Sequence, residues 1–293
     1  MAEVPAVTLN NGVTMPQIGF GVFRVPEAET QPAVLSAIEA GYRGIDTAAL
    51  YGNEESVGAA IRESGIPREQ IFVTTKLWNS DHGNPERALE TSLRKLKFDY
   101  VDLYLIHYPV RQRRQSWRAL EALRAKGKAR SIGVSNFTIR HLTELLAETK
   151  TVPAVNQVEF HPYLYQRDLL DFCARRAIVL EAYSPLTKGA RLKDPKLVAI
   201  AKKYSQAGAE RAARSRLPLV DRLSRRSETK STAQILIRWA LQHGLAVIPK
   251  SANRQRIFEN ADVFDFEVTS EDMQILDRFN ENLRTCWDPT DAP

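Results

Sequence analysis

Short apolar runs alternate with amphipathic stretches along almost the whole chain. Eight runs have strand length: IGFGVF (18–23), YRGIDTA (42–48), FVTTKL (72–77), VDLYLIH (101–107), RSIGVS (130–135), AVNQVEF (154–160), IVLEAYS (178–184) and LAVIPK (245–250). They are mostly apolar at successive positions, as strands buried on both faces of a parallel sheet are. Between the runs the period becomes helical. Leu89, Leu93 and Leu96 fall at i, i+4, i+7, Leu142, Leu145 and Leu146 at i, i+3, i+4, and Ala233, Leu236, Ile237 and Ala240 repeat that spacing. This alternation predicts an α/β fold with helices covering a parallel sheet. Ahead of it, residues 7–16 read as a hairpin whose arms flank Asn11-Gly12, a pair suited to a type I′ turn.

Two architectures compete. An open doubly wound sheet that binds a dinucleotide needs GxGxxG after its first strand, whereas here Gly19 and Gly21 are followed by Arg24 in place of the third glycine. Eight strand–helix units without a linker composition favour a closed (β/α)8 barrel, a TIM barrel, as one domain over residues 1–293. One interval breaks the rhythm, between the seventh and eighth runs. PKLVAIAKKY (195–204) forms a helical segment there, and an Arg-rich stretch, 206–229, occupies the rest.

Composition narrows the picture. With 43% hydrophobic and 26% charged residues, the chain is that of an ordinary globular protein. Its net charge of +6 raises the question of nucleic acid, but residues 206–229 set six arginines against Glu210, Asp221 and Glu228 and so carry half of that excess. The remainder has no basic stripe interleaved with aromatics, so no nucleic-acid partner is expected. Only two cysteines occur, Cys173 and Cys286, which speaks against a disulfide framework and for a reducing compartment. No apolar run approaches the ~18 residues of a membrane span, and no secretory h-region follows Met1. A cytoplasmic protein with no membrane association is the expectation.

Polar residues punctuate three successive strand ends. Asp46 and Tyr51 lie in DTAALYGNE, Lys76 in TTKLW and His107 in LIHYP. In a barrel all strand C-termini meet at one mouth, so these four form a candidate active site. A phenol with a pKa near ~10 is a poor acid at neutral pH. A lysine beside it stabilises its ionised form, and a carboxylate holds that lysine charged and in place. The histidine can donate a hydrogen bond to a carbonyl oxygen. Singly, each has an ordinary structural role: a solvated strand-end lysine, a satisfied core histidine, an aspartate capping a turn. A Schiff-base role for Lys76 is a competing chemistry, opposed by the charge-holding Asp46. His82, His141 and His161 show no metal-ligand spacing, and no metal is expected.

GYRGIDTAALYGNEESVG, TTKLW, DLYLIHYP, IGVSNF, NQVEFHPY, AYSPL and IPKS occur in the order in which the aldo-keto reductase superfamily carries them. Over almost its full length the chain resembles that superfamily, in particular the 2,5-diketogluconate reductases and similar small-carbonyl reductases of prokaryotes and protists. The resemblance implies a barrel reductase that uses NADPH to convert aldehydes and ketones to alcohols. It implies that Tyr51 is the general acid, Lys76 and Asp46 tune it, and His107 positions the carbonyl. For the cofactor it implies stacking on Tyr183, carboxamide contacts from Ser135, Asn136 and Gln157, and pyrophosphate contacts from Ser184 and Leu186. Lys250, Ser251, Asn253 and Arg256 would grip the adenosine 2′-phosphate, and Glu259 and Asn260 the adenine. Two cations and a hydroxyl in a loop that opens a helix are also a physically sensible anion site. Some channel-associated relatives keep the fold as a redox sensor, a non-enzymatic reading that an intact tetrad does not remove.

The chain departs from the pattern at three places. Tyr108 stands where Trp is usual, and with Phe23, Trp78 and Trp287 it is expected to line the substrate pocket. The connection after the fourth strand is short, so an open pocket is expected with Arg111, Arg113 or Arg114 on its rim, which would favour anionic substrates unless these only solvate a helix start. Removal of 206–229 leaves an uninterrupted family segment. The stretch is therefore an insertion: a contact loop, a disordered excursion or a gene-model error. The tail, 280–293, is expected to fold over the barrel mouth, and the protein to act on a small carbonyl compound as a monomer.

Overall fold

The structure, a computed structural model, describes residues 4–214 and 229–293. Eight strands pair in parallel and in chain order: β3 (Gly19–Gly21), β4 (Gly44–Asp46), β5 (Phe72–Leu77), β6 (Val101–Ile106), β7 (Ala129–Ser135), β8 (Val155–Glu159), β9 (Val179–Tyr183) and β10 (Ala246–Ile248). The first and last strands then meet. Val247 N donates to Gln17 O at 3.0 Å and Gly21 N to Pro249 O at 3.1 Å, which closes the sheet into a barrel. The continuous apolar runs are explained by this closure, since β5 and β6 are buried along their whole length.

Helices α1 (Glu27–Glu39), α2 (Glu54–Glu63), α3 (Pro85–Leu96), α4 (Arg113–Ala125), α5 (Ile139–Leu146) and α6 (Arg167–Ala174) follow the first strands in turn. Their starts are written locally: Asn84 accepts a hydrogen bond from Arg87 N ahead of Pro85, and Thr138 forms a capping box with His141. Leu89, Leu93 and Leu96 are buried, as are Leu142 and Leu145, while Leu146 is half-buried at the edge of its face.

Among the described residues, the long seventh interval holds α7 (Pro195–Arg214) and α8 (Thr232–Gln242). The helical backbone of α7 continues past position 206, so the insertion begins as helix and not as a loop. Residues 215–228, and with them the expected roles of the insertion, lie outside the described residues. After β10 come α9 (Arg254–Ala261) and α10 (Ser270–Asp277), then the tail. Among the described residues no helix is long and apolar enough to cross a membrane.

The hairpin β1 (Ala6–Thr8) and β2 (Thr14–Pro16) plugs the end of the barrel opposite the strand C-termini, where Leu9 and Met15 pack with Phe72, Leu103 and Val155. Its turn differs from the type I′ expectation, because only Gly12, at φ +85, has a positive φ. Gly12 N donates to Leu9 O and Leu9 N to Val13 O, both at 2.9 Å, which is a type I turn closed by a glycine bulge.

One glycine of the GNEESVG segment has a packing reason. A Cβ on Gly58 would stand 2.1 Å from Leu96 O, because α2 crosses the C-terminal end of α3 at backbone contact. Gly58→Ala is therefore expected to lower stability by about 1–3 kcal/mol, read as a lower denaturant midpoint. An unchanged midpoint would show that the two helices separate freely.

Candidate active site

Asp46 is the last residue of β4, and its Oδ1 lies 2.6 Å from the Lys76 ammonium on β5. Lys76 Nζ also donates to Thr47 O at 2.8 Å and lies 3.2 Å from the Tyr51 hydroxyl. All three N–H groups are thus committed inside the barrel mouth, and no free lone pair is left for Schiff-base chemistry. Tyr51 ends a single 3-10 turn, Ala49–Tyr51, and Gly52 in the left-handed region swings the chain from it into α2. The His107 ring, just past β6, stands edge-on to the Tyr51 ring with centroids 5.6 Å apart. The barrel therefore brings together the four residues expected from the sequence.

Burial decides their protonation. It pushes the Tyr51 phenol well above its usual range, with Asp46, Cys286 and Glu181 adding to the effect. The expectation that Lys76 would ease ionisation is outweighed, and Tyr51 holds its proton at neutral pH. Burial, and then the Lys76 charge, hold His107 well below the usual histidine range, so its imidazole is neutral and keeps one N–H to donate.

From this cluster a cleft of about 920 Å³ runs along the barrel mouth past the ends of β7 to β10. Ser135, Asn136 and Gln157 line its floor, together with Tyr183, Ser184 and Leu186. Tyr183 OH donates to Asn136 Oδ1 at 2.7 Å, which pins the ring that faces the cleft. Asn136, at φ +63, spends its amide N–H groups on His107 O and Ser135 Oγ, and Ser135 Oγ donates to Gln157 O. Gln157 Nε2 donates to Asp46 Oδ2 at 2.8 Å and to Glu181 Oε2 at 2.7 Å. Of the Gln157 amide, Oε1 is the atom these carboxyls leave over.

The far end of the cleft is lined by Lys250, Ser251, Asn253, Arg256, Glu259 and Asn260. Asn253 caps α9 by accepting from Arg256 N, and Ser251 Oγ accepts from Asn253 N, both at 3.1 Å. Arg254 is bound to Glu39. Lys250 and Arg256 are exposed and pair with no acid among the described residues, so two cations are available to an anion at this helix start.

The other side of the cluster is aromatic. Trp78 packs on His107 at 5.2 Å between centroids, and Trp287 lies 5.7 Å from both Trp78 and Tyr108. The Phe23 ring packs at a tilt on Tyr51, with centroids 4.9 Å apart. The tail does cross the mouth: Thr285 and Cys286 donate backbone N–H groups to the Glu159 carboxyl, and Tyr108 OH donates to Asp288 O at 2.9 Å. The rim differs from expectation. Arg113 is buried, bound to Glu144 and to Pro293 O, and Arg114 pairs with Glu148. Their role is to tie α4 to α5 and to the tail, and of the three arginines only Arg111 stands exposed without an ion pair among the described residues.

Three participants were missed in the sequence. Cys286 lines the cleft, with its Sγ 3.4 Å from Ser184 Oγ, and Lys188 donates to Thr285 O from the loop after β9. The third is Glu181, whose carboxyl is pushed up to about 8 by burial and by the Asp46 charge, against the hydrogen bond from Gln157 and the Lys76 charge. An acid in the middle of the apolar run IVLEAYS was the signal for it.

The profile of the Aldo/keto reductase family matches residues 17–281. A glyoxal reductase of Bacillus subtilis is 47% identical over 97% of this chain and 95% of its own length. A 9,11-endoperoxide prostaglandin H2 reductase of Trypanosoma cruzi is 48% identical over 97% and 94%. The structure of a Bombyx mori aldo-keto reductase in complex with NADP superposes with a TM-score of 0.87 at 37% identity, covering 100% of this chain and 99% of that one. A closed parallel barrel with Asp46, Tyr51, Lys76 and His107 gathered at its mouth, and a match along nearly the whole length, have one explanation: the chain belongs to the aldo/keto reductase family.

Proposed function

We propose that this protein reduces small aldehydes and ketones to alcohols with NADPH, and that Tyr51 is the general acid. The observation that carries the reading is the Tyr51 hydroxyl, 3.2 Å from the Lys76 ammonium, at the inner end of a cleft whose outer end holds two cations without an acid partner among the described residues. The residues fit the cofactor. Lys250, Arg256 and the Ser251 hydroxyl suit a 2′-phosphate, which favours NADPH over NADH. The Tyr183 ring offers a stacking face, and Gln157 Oε1 an acceptor for the carboxamide. When bound, NADPH supplies the hydride.

The chain's own residues do the rest. His107, neutral, donates its N–H to the substrate oxygen and turns the carbonyl toward the cleft floor. As negative charge develops on that oxygen, Tyr51 delivers its proton there, and the buried Lys76 stabilises the phenolate left behind. Asp46 keeps that ammonium in place. Trp78, Tyr108 and Trp287 make an aromatic wall that excludes water. With Arg113 and Arg114 occupied by glutamates, the pocket suits small neutral carbonyl compounds such as glyoxal and methylglyoxal over keto acids, and the B. subtilis relative's name agrees. A cytoplasmic monomer is the accompanying reading, consistent with two free thiols.

Tyr51→Phe is expected to abolish turnover, measured as loss of NADPH absorbance with methylglyoxal, while NADPH still quenches tryptophan fluorescence with nearly wild-type affinity. Substantial residual reduction would remove the acid assignment, and no quenching even in the wild type would remove the cofactor. Lys250→Ala and Arg256→Ala should each weaken NADPH binding about tenfold or more, the cost of a charge-assisted hydrogen bond, and leave NADH binding unchanged. Equal losses for both cofactors would place the 2′-phosphate elsewhere.

A further inference from the structure

Glu181 has no part in the steps above, yet it is buried and connected through Gln157 to Asp46, Lys76 and Tyr51. It stands beside Gln157 in the β8–β9 register, and Gln157 Nε2 is shared between Glu181 Oε2 at 2.7 Å and Asp46 Oδ2 at 2.8 Å. Asp46 in turn holds Lys76, and Lys76 holds Tyr51. We infer that Glu181 is a positioning residue of the acid site: through the Gln157 amide it fixes Asp46 on Lys76, and its proton sets the charge behind Tyr51. The inference rests on the reductase reading and deepens it.

An amide can flip, and only its nitrogen is compatible with a carboxylate. The ionised Asp46 demands the nitrogen, and Glu181 takes the second amide hydrogen on Oε2, which accepts whether or not the carboxyl carries its proton on the other oxygen, so Oε1 is left for the cleft. Without Glu181 one amide hydrogen loses its partner in a buried site, the flip is easier, and Oε1 can come to face Asp46 Oδ2. That repulsion would move Asp46 from Lys76.

Charge acts on the same site. The groups that face Glu181 are Asp46 from β4, Lys76 from β5 and Tyr51 from the turn after β4, while β10 presents only Ala246 at the matching register. Two ionised carboxyls against one buried ammonium would leave a net negative site. Glu181 avoids this by keeping its proton through neutral pH, with its carboxyl pushed up to about 8. Once it ionises, the added negative charge makes Tyr51 a weaker acid, because Glu181 is among the groups that raise the phenol. Reduction should therefore slow as pH rises through that value. The stability sign is the same: the unfolded chain gives up this proton near the ordinary 4.5 and the folded one near 8, so stability falls as pH rises between them.

The test uses the full-length protein, with kcat for methylglyoxal reduction measured across pH and with the thermal midpoint measured across the same range. Glu181→Ala should lower kcat about tenfold through misplacement of the acid, and Glu181→Gln should recover most of that loss. The wild type should lose kcat about five- to tenfold between pH 7 and pH 9, and Glu181→Gln should lose much less. A wild-type fall repeated unchanged in Glu181→Gln, or a wild-type kcat in Glu181→Ala, would overturn the inference. Failure of the wild type to reduce any carbonyl would instead sink the reductase reading. The midpoints then decide for Glu181 alone: the decline toward pH 8 should flatten in Glu181→Gln, and an unaltered decline would refute its proton.

Discussion

The ion pair between Lys76 and Asp46 is the constraint around which the mouth of this barrel is arranged. Lys76 has a side chain with no solvent exposure, and Asp46 is 5% exposed, so neither charge has water to fall back on. Breaking such a pair from one side typically costs about 3–5 kcal/mol, because the remaining charge is stranded. Every other contact of the pair makes sense as compensation. Thr47 O and the Tyr51 hydroxyl take the remaining ammonium hydrogens, and Gln157 satisfies the second carboxylate oxygen. The phenol beside Lys76 is thus part of the solution to burying a lysine, and that same position is what acid chemistry requires.

Closure of the sheet is what makes the burial possible. Asp46 pairs with Thr74, two residues before Lys76 on β5, so the Asp46 and Lys76 side chains point to the same face of the sheet. A shift of one residue would turn the Lys76 side chain out of the barrel. The hydrogen bonds from Val247 to Gln17 and from Gly21 to Pro249 fix the circumference, and the hairpin fills the opposite end with Leu9 and Met15. The geometry of the cluster therefore depends on its own strand pairing and also on closure contacts distant in sequence from the four residues.

Sequence reasoning reaches such a fold through pattern and strand ends. The eight runs, the helical leucines and the polar residues closing three strands all follow from periodicities of a few residues, and the structure brings Asp46, Tyr51, Lys76 and His107 within one cluster. What was not legible depends on contacts between distant segments. Arg113 reads as a rim cation until Glu144 and Pro293 are seen to enclose it. Asn11-Gly12 suggests a type I′ turn because the pair allows it, but a five-residue loop needs only the glycine in the left-handed region. Glu181 hides inside an apolar strand, where its direction depends on the register of β8 and β9.

The tail adds a constraint that joins the two halves of the cleft. Glu159, buried at the end of β8, accepts from the backbone of both Thr285 and Cys286, so the tail is anchored to the barrel itself. Beyond that anchor Trp287 lies against Trp78 and Tyr108 on the aromatic side. At the anchor Lys188 and Ser184, from the loop that follows Tyr183, reach Thr285 and Cys286. That loop borders the part of the cleft assigned to the cofactor, and Trp287 the part assigned to the carbonyl. The Ser184–Gly189 loop and Trp287 are thus tied to one short segment, Thr285–Cys286. The aromatic wall and the loop after β9 for this reason share the Glu159 anchor.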